Sequence, residues 1–460
     1  MKELVSLCTT ALVAALLTGT MLFSSGCTCL FHSDQPYGPK VTGDGTGGAI
    51  AVYEDIKGSN QHDFYVQKIS PEGDILWGDK GVLIGGGYKE FDSFHELHIV
   101  SDGYGGALVS WLASVSSEQR TYATYVVRVD AEGDILWKKE VRAVDQMICD
   151  GSGGAFIGYL VEGTAMILRI DAEGDFPWGE EGISLGLKSA SWGWQMVSDE
   201  VGGILAVQQN ENGQILVQRI DSDGNILWGE HGILLYSPLE GISAEQAQLI
   251  NDGSGGAIAV WQQWPKGRIE SGMPEALLND ICAQRVDAKG KVLWVEGGVP
   301  LGITKGGGEC PTNPLTVSDS SGGAIIIWED LRKGLMSMYA QKIDADGNIK
   351  WQPGGEEVCY IETHSSFWPR TAVSDGSGGA IVTFGIRAQK IDADGRTMWP
   401  DDGILFTERG THAMAYDGYG GAVIAWGSGK SMFKSERSYV QRIDSGGKLL
   451  WGEEGIRLNP

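Results

Sequence analysis

One stretch of residues recurs eight times along this chain, and a repeat of that kind leaves few folds open. Its consensus reads V-S-D-G-x-G-G-A-I-x-x-W, then a loop, then Y-x-Q-R-I-D-x-x-G-x-x-L-W-G-x-x-G-I. The copies open on Asp44, Asp102, Asp150, Asp199, Asp252, Asp319, Asp375 and Asp417, and each ends its strongest run on a tryptophan: Trp77, Trp137, Trp178, Trp228, Trp294, Trp351, Trp399 and Trp451. A period of about 40 to 65 residues marks a supersecondary unit that cannot bury its apolar surface alone and stacks on its neighbours.

Within each copy the apolar or alternating runs are short and separated by turn residues, with no helical periodicity. In the second copy they are LHIVSD, GGALVSW, YVVRVD and DILW, which predicts four strands, a to d from the axis outwards, with the tryptophan closing strand d. The a–b turn, DGxGG, and the c–d turn, DADGN or AEGD, supply glycine for left-handed backbone and aspartate to bond nearby amides, so neighbouring strands pair as hairpins. Four short strands at this period are a propeller blade. The expectation is an all-β fold, a single eight-bladed β-propeller of four-stranded blades over residues 40–460, with the recurring tryptophans packing blade against blade. Length alone would suggest about three domains. The repeat overrides that, because blades share cores with their neighbours.

Ahead of the repeat, Leu4 to Phe23 is a largely apolar run behind Lys2, followed by FSSGC ending at Cys27. This reads as a signal peptide over residues 1–27. Its end resembles the lipobox of bacterial lipoproteins, in which a cysteine after small residues is lipidated; Ser25 and Gly26 fit, and Ser24 stands where leucine is usual. Ordinary cleavage and a retained anchor are the other readings of a run long enough to span a bilayer. Residues 28–39 form a short linker of about a dozen residues, roughly 40 Å at full stretch, so an exported, lipid-anchored propeller would sit close to its membrane in the cell envelope.

The net charge of −25 excludes the basic footprint that nucleic acid requires and suits a solubilised, exported surface. The basic GKSMFKSERS segment of the last blade is read as a solvated loop. Of seven cysteines, Cys8 and Cys29 lie in or beside the leader, and Cys149 and Cys282 read as small buried thiols. Cys310 and Cys359, in segments leading into successive strands a, are the disulfide candidate in an oxidising compartment. No metal or cofactor is expected. His95 and His98 would point to opposite faces of a strand. The DxDG turns at Asp221, Asp344 and Asp392 look like calcium loops, but other blades replace them with AEG, AKG or SGG.

Alternating strand direction places the uniform a–b and c–d turns on one face and the variable b–c loops and d–a connections on the other. Variable loops on a rigid scaffold are where binding usually resides. Four places before the opening aspartate stand His98, Gln146, Gln195 and Gln248 in blades two to five, against Leu315, Thr371 and Ala413 later; further towards the mouth lie His95, Trp192, Trp194, Trp368, Arg370 and His412. Polar amides beside exposed aromatics would suit a carbohydrate or a peptide. A hydrated channel wall with aromatics packed between blades is the plainer reading. The Lys or Arg of every strand c (Lys68, Arg128, Arg169, Arg219, Arg285, Lys342, Lys390, Arg442) reads as framework because all eight blades carry it.

The wording from Trp328 to Trp351 resembles a widespread propeller repeat of secreted bacterial proteins, and R-I-D-S-D-G-N-I-L-W at Arg219 to Trp228 is similar to the tryptophan-docking motif of quinoprotein-type eight-bladed propellers, with a turn one residue shorter. That group includes quinone-dependent dehydrogenases, whose ring of adjacent cysteines implies a Cys-Cys pair this chain lacks, and a lipoprotein scaffold of outer-membrane assembly. The reading is therefore a monomeric, lipid-anchored binding scaffold with an envelope protein or glycan as partner. Its alternative is a carbohydrate-active enzyme, a lyase or hydrolase, with its site at the channel mouth.

Overall fold

The computed structural model describes residues 38–57, 61–89, 97–116, 121–188, 194–265, 280–301, 312–330, 332–333, 336–360, 370–407, 411–428 and 437–459. Among these the chain forms eight four-stranded antiparallel sheets, each built from consecutive strands, an eight-bladed β-propeller. The innermost strands a are Lys40–Gly43, His98–Ser101, Gln146–Cys149, Trp194–Ser198, Ile242–Asn251, Thr312–Ser318, Arg370–Ser374 and Thr411–Tyr416. Each lies beside the next, and the last lies beside the first, so they close a ring around the axis.

The core is divided among the seams between blades. On strand b of blade one, Ala49, Ala51 and Tyr53 pack with blade eight, whereas Ile50 and Val52 pack with blade two. A strand's side chains alternate between faces, and here both faces are covered. That is why strands b read as near-continuous apolar runs such as Ala324–Trp328. Eight clusters of buried residues occupy the eight seams.

The repeated polar residues fasten the blades. In every a–b turn the aspartate Oδ1 accepts two backbone N–H bonds, as Asp44 does from Thr46 and Gly48. A Cβ at Gly48 would stand 2.3 Å from the Ile69 carbonyl oxygen, which only glycine allows. In seven blades the aspartate Oδ2 pairs with the strand-c cation, from Arg128 with Asp102 to Arg442 with Asp417. In four of these the arginine also donates to a c–d turn carbonyl of the following blade, at Ala172, Ser222, Ala288 or Ala345. The tryptophan indole N–H donates to that same carbonyl. Lys68, Lys342 and Lys390 reach instead to Gly105, Gly378 and Gly420 in the next a–b turn.

The placement of the tryptophans corrects one expectation. Only in blade two does the tryptophan lie within strand d, Ile135–Val141. In the other seven it sits in a bend or turn, and strand d follows it, as Val82–Lys89 follows Trp77. The cause is a strand-c glutamine. Gln67, Gln218, Gln284, Gln341, Gln389 and Gln441 accept from the tryptophan backbone N–H with Oε1. Their Nε2 donates to a carbonyl just beyond it, such as Gly78 or Gly452. The amide replaces one rung of the ladder, and the outer chain bows around it. Blade two has Val127 at this place, and its outer strand runs straight through Trp137. In blade three Leu168 stands there and Pro177, which has no N–H to give a ladder, precedes Trp178.

Closure follows the same rule as every other seam. Trp451 donates to the Pro71 carbonyl at 3.1 Å and lies against Gly73, and among the described residues no strand is shared between blades one and eight. Truncating Trp451 to Ala is expected to cost roughly 3–5 kcal/mol, as for other buried tryptophans, and Trp451→Phe about 1 kcal/mol for the lost hydrogen bond. Urea unfolding of both, beside the matching Trp294 variants, checks this; a Trp451 effect near zero would show that closure lies elsewhere.

Candidate functional site

Strand a is the inner edge of each blade, so one side of its backbone has no ladder partner and must be satisfied otherwise. The residues four places before the opening aspartate do this. Gln146 donates from Nε2 to the Trp194 carbonyl at 3.0 Å and accepts from Met196 N–H at 2.9 Å, standing in for a strand partner on blade four. Gln195 accepts from Leu249 N–H at 2.6 Å, and Gln248 donates to the Pro314 carbonyl. His98 bonds the Val144 backbone just ahead of strand a in blade three. Each polar side chain thus spans to the next blade. Lys40 holds the equivalent place in blade one, visible from its offset to Asp44 but absent from the sequence-based set.

Residues five places before the aspartate face the preceding blade. Trp194, named among the mouth residues, is 3 % exposed and packs across Gly158 with Met196. Its large indole fills the space that a glycine leaves on the neighbouring strand. Arg370 is ion-paired with Glu329 of blade six, and burial lowers its pKa to about 10. His412 meets Thr383 Oγ1 at 2.6 Å through Nε2 and lies edge-on to Phe406. Burial, with the Lys40 ammonium adding to it, pushes His412 down to about 3 and His98 down to about 4. Both imidazoles are therefore neutral above mildly acidic pH. His95, Trp192, Trp368, Cys310 and Cys27 lie outside the described residues; Cys359 is a buried free thiol.

The polar residues that sequence reasoning missed, Glu245, Gln246, Asn313 and Glu329, lie over blades five and six. Strand a of blade five runs ten residues, Ile242–Asn251, and both it and strand a of blade six carry a bulge against strand b, between Glu245 and Gln248 and between Thr312 and Leu315. In each bulge a non-glycine residue takes a left-handed backbone, Gln246 at φ 54° and Asn313 at φ 55°. Gln246 Nε2 donates to Asn313 Oδ1 at 3.0 Å, and Asn313 Nδ2 to Glu329 Oε2 at 2.9 Å. Glu329 holds Arg370. Beside this line, Trp264 Nε1 donates to Glu245 Oε1 at 3.2 Å. The only sequence signal was negative, the loss of repeat wording before strand a.

The DxDG turns keep their carboxylates for themselves: Asp221 accepts from Asp223 N–H, Asn225 N–H and Asn225 Nδ2. Among the described residues no three His, Cys, Asp or Glu side chains converge as a metal site.

No protein-family model matches this chain, and no curated protein matches it. Among solved structures it is similar to the BP39L lectin from Burkholderia pseudomallei, at 11% identity over 90% of this chain and 98% of that one, with a TM-score of 0.47. The polysaccharide lyase Uly1 is similar at 9% identity over 79% and 88% of the two chains, TM-score 0.43. A puromycin hydrolase is similar at 15% identity over 74% of this chain, TM-score 0.43, and this chain spans about half, 51%, of its length. None of these likenesses bears on what this chain does.

The two histidines make stability depend on pH. Their folded pKa values lie below the ordinary 6.5, so their contribution is full above pH 6.5 and is lost as pH falls towards 4, at up to about 1.4 kcal/mol per pH unit for each. His98→Gln, which places the residue of blades three to five in blade two, is expected to keep the fold and shallow that slope by one proton. Urea midpoints from pH 7.5 to 4 measure it; an unchanged slope would mean His98 titrates normally.

Proposed function

We propose that this propeller is an exported, lipid-anchored binding module of the cell envelope, attached through Cys27 and acting through its variable face. One observation carries the reading. On the opposite face the Asp, Arg or Lys, Trp and Gly of the turns are spent on the framework in blade after blade, whereas on the variable face blades five and six leave the repeat together and place Gln246, Asn313 and Glu329 in one polar line that ends on Arg370 of blade seven. Kinship with secreted, quinoprotein-like propellers belongs to the same reading, supported by the docking of each indole on the next blade.

Binding is favoured over catalysis at the channel mouth by where the mouth residues point. His98, Gln146, Gln195 and Gln248 are engaged with neighbouring backbone, Trp194 is core, and Arg370 is held by Glu329. A catalytic acid or base needs a pKa near working pH and a free approach. The buried, neutral imidazoles of His98 and His412 offer neither.

A photo-cross-linking residue at Gln246, on the variable face, is expected to capture one stoichiometric envelope partner in native membranes. The same residue at Tyr104, 66 % exposed in an a–b turn, is the control. Capture from Tyr104 alone would reverse the assignment of faces. Cys27→Ser is expected to move the protein from the membrane to the soluble fraction; unchanged membrane retention would remove the lipid anchor from the reading.

A further inference from the structure

We propose that the surface where blades five and six meet, formed by Glu245, Gln246, Trp264 and Asn313 over the buried Gln262, binds a neutral, hydroxyl-rich saccharide. This rests on the binding reading above and names its ligand class.

Three features place the ligand there. Gln262 stands directly across from Glu245 in the a–b ladder of blade five and is 1 % exposed, yet its Nε2 has no hydrogen-bond partner. Gln248 Oε1 on the same strand pair is likewise buried and unpartnered. A buried donor left open is costly, so the ground under Glu245 and Trp264 is polar rather than sealed by hydrogen bonds. Glu245 accepts from Trp264 Nε1 and Ser243 Oγ through one oxygen, Oε1. That fixes the carboxylate and the indole relative to each other. Gln246, exposed at the crest of its bulge, is held by Asn313.

The chemistry selects among ligands. Amides and a carboxylate provide donors and acceptors in both senses, which hydroxyl groups can meet in either role, and a half-buried tryptophan offers an apolar body beside them. Among the described residues the nearby cation, Arg370, is neutralised by Glu329, and Glu245 adds a carboxylate to a chain of net charge −25. An acidic saccharide would be repelled.

The bulges supply a test that separates binding from architecture. Glycine accepts φ near +55° more readily than Gln or Asn, so Gln246→Gly and Asn313→Gly should keep or raise the Tm while deleting the amides. The full chain would be titrated by calorimetry with cellohexaose, laminarihexaose, maltohexaose and polygalacturonate. We expect one neutral hexasaccharide to bind, at least tenfold weaker binding of it in each glycine variant, and no binding of polygalacturonate. Neutral saccharide binding that both variants leave intact would overturn the site. Preference for polygalacturonate would overturn the ligand class. Failure of all four probes while Gln246 still cross-links a protein partner would overturn this inference and leave the binding module standing.

Discussion

The fold depends on one carbonyl per blade. The c–d turn exposes the backbone oxygen of its second residue, and the preceding blade's tryptophan donates to it in every case, from Trp77 to Ala131 through Trp451 to Pro71. In four seams an arginine donates to the same oxygen while pairing with its own blade's aspartate. The turn glycine completes the arrangement. At Gly347 a Cβ would come within 2.9 Å of Trp294, and its φ is +85°. Sterics and backbone conformation thus require the same residue, and the indole lies flat where a side chain would stand.

Because this contact links consecutive blades in one direction, closure needs no special device. Blade eight meets blade one through the same indole and the same kind of apolar seam as elsewhere. Many small cores replace a single large one, and strands b are buried on both faces. Stability is then a sum of similar seam terms, which lets individual blades depart from the repeat on the variable face without disturbing the framework on the other.

That division explains how much of the molecule was legible beforehand. The eightfold wording, the turn glycines, the framework role of the strand-c cations and the blade count are read from local patterns, and the structure has them. The position of strand d was misread because the glutamine that displaces it acts through side-chain bonds to a backbone ten residues away, as Gln67 does at Trp77. The channel mouth was read two ways, as polar amides beside exposed aromatics and, more plainly, as a hydrated wall with aromatics packed between blades. A strand at the inner edge of a blade turns its side chains to its two neighbours, and Trp194 and Gln146 meet there across one seam.

By itself the sequence determined the architecture, since a repeat that cannot bury its own tryptophan must stack, and turn chemistry fixes how each copy reverses. Only the tertiary structure decided which polar residues remain open. Gln146 and Gln248 occupy equivalent places in the repeat, yet Gln146 meets both a carbonyl and an N–H on the next blade while Gln248 keeps Oε1 without a partner. The difference lies in the bulges of blades five and six, which shift the neighbouring backbone and are written in no motif. Hydrogen-bond satisfaction is a property of two chains brought together in space, and one chain read along its length does not contain it.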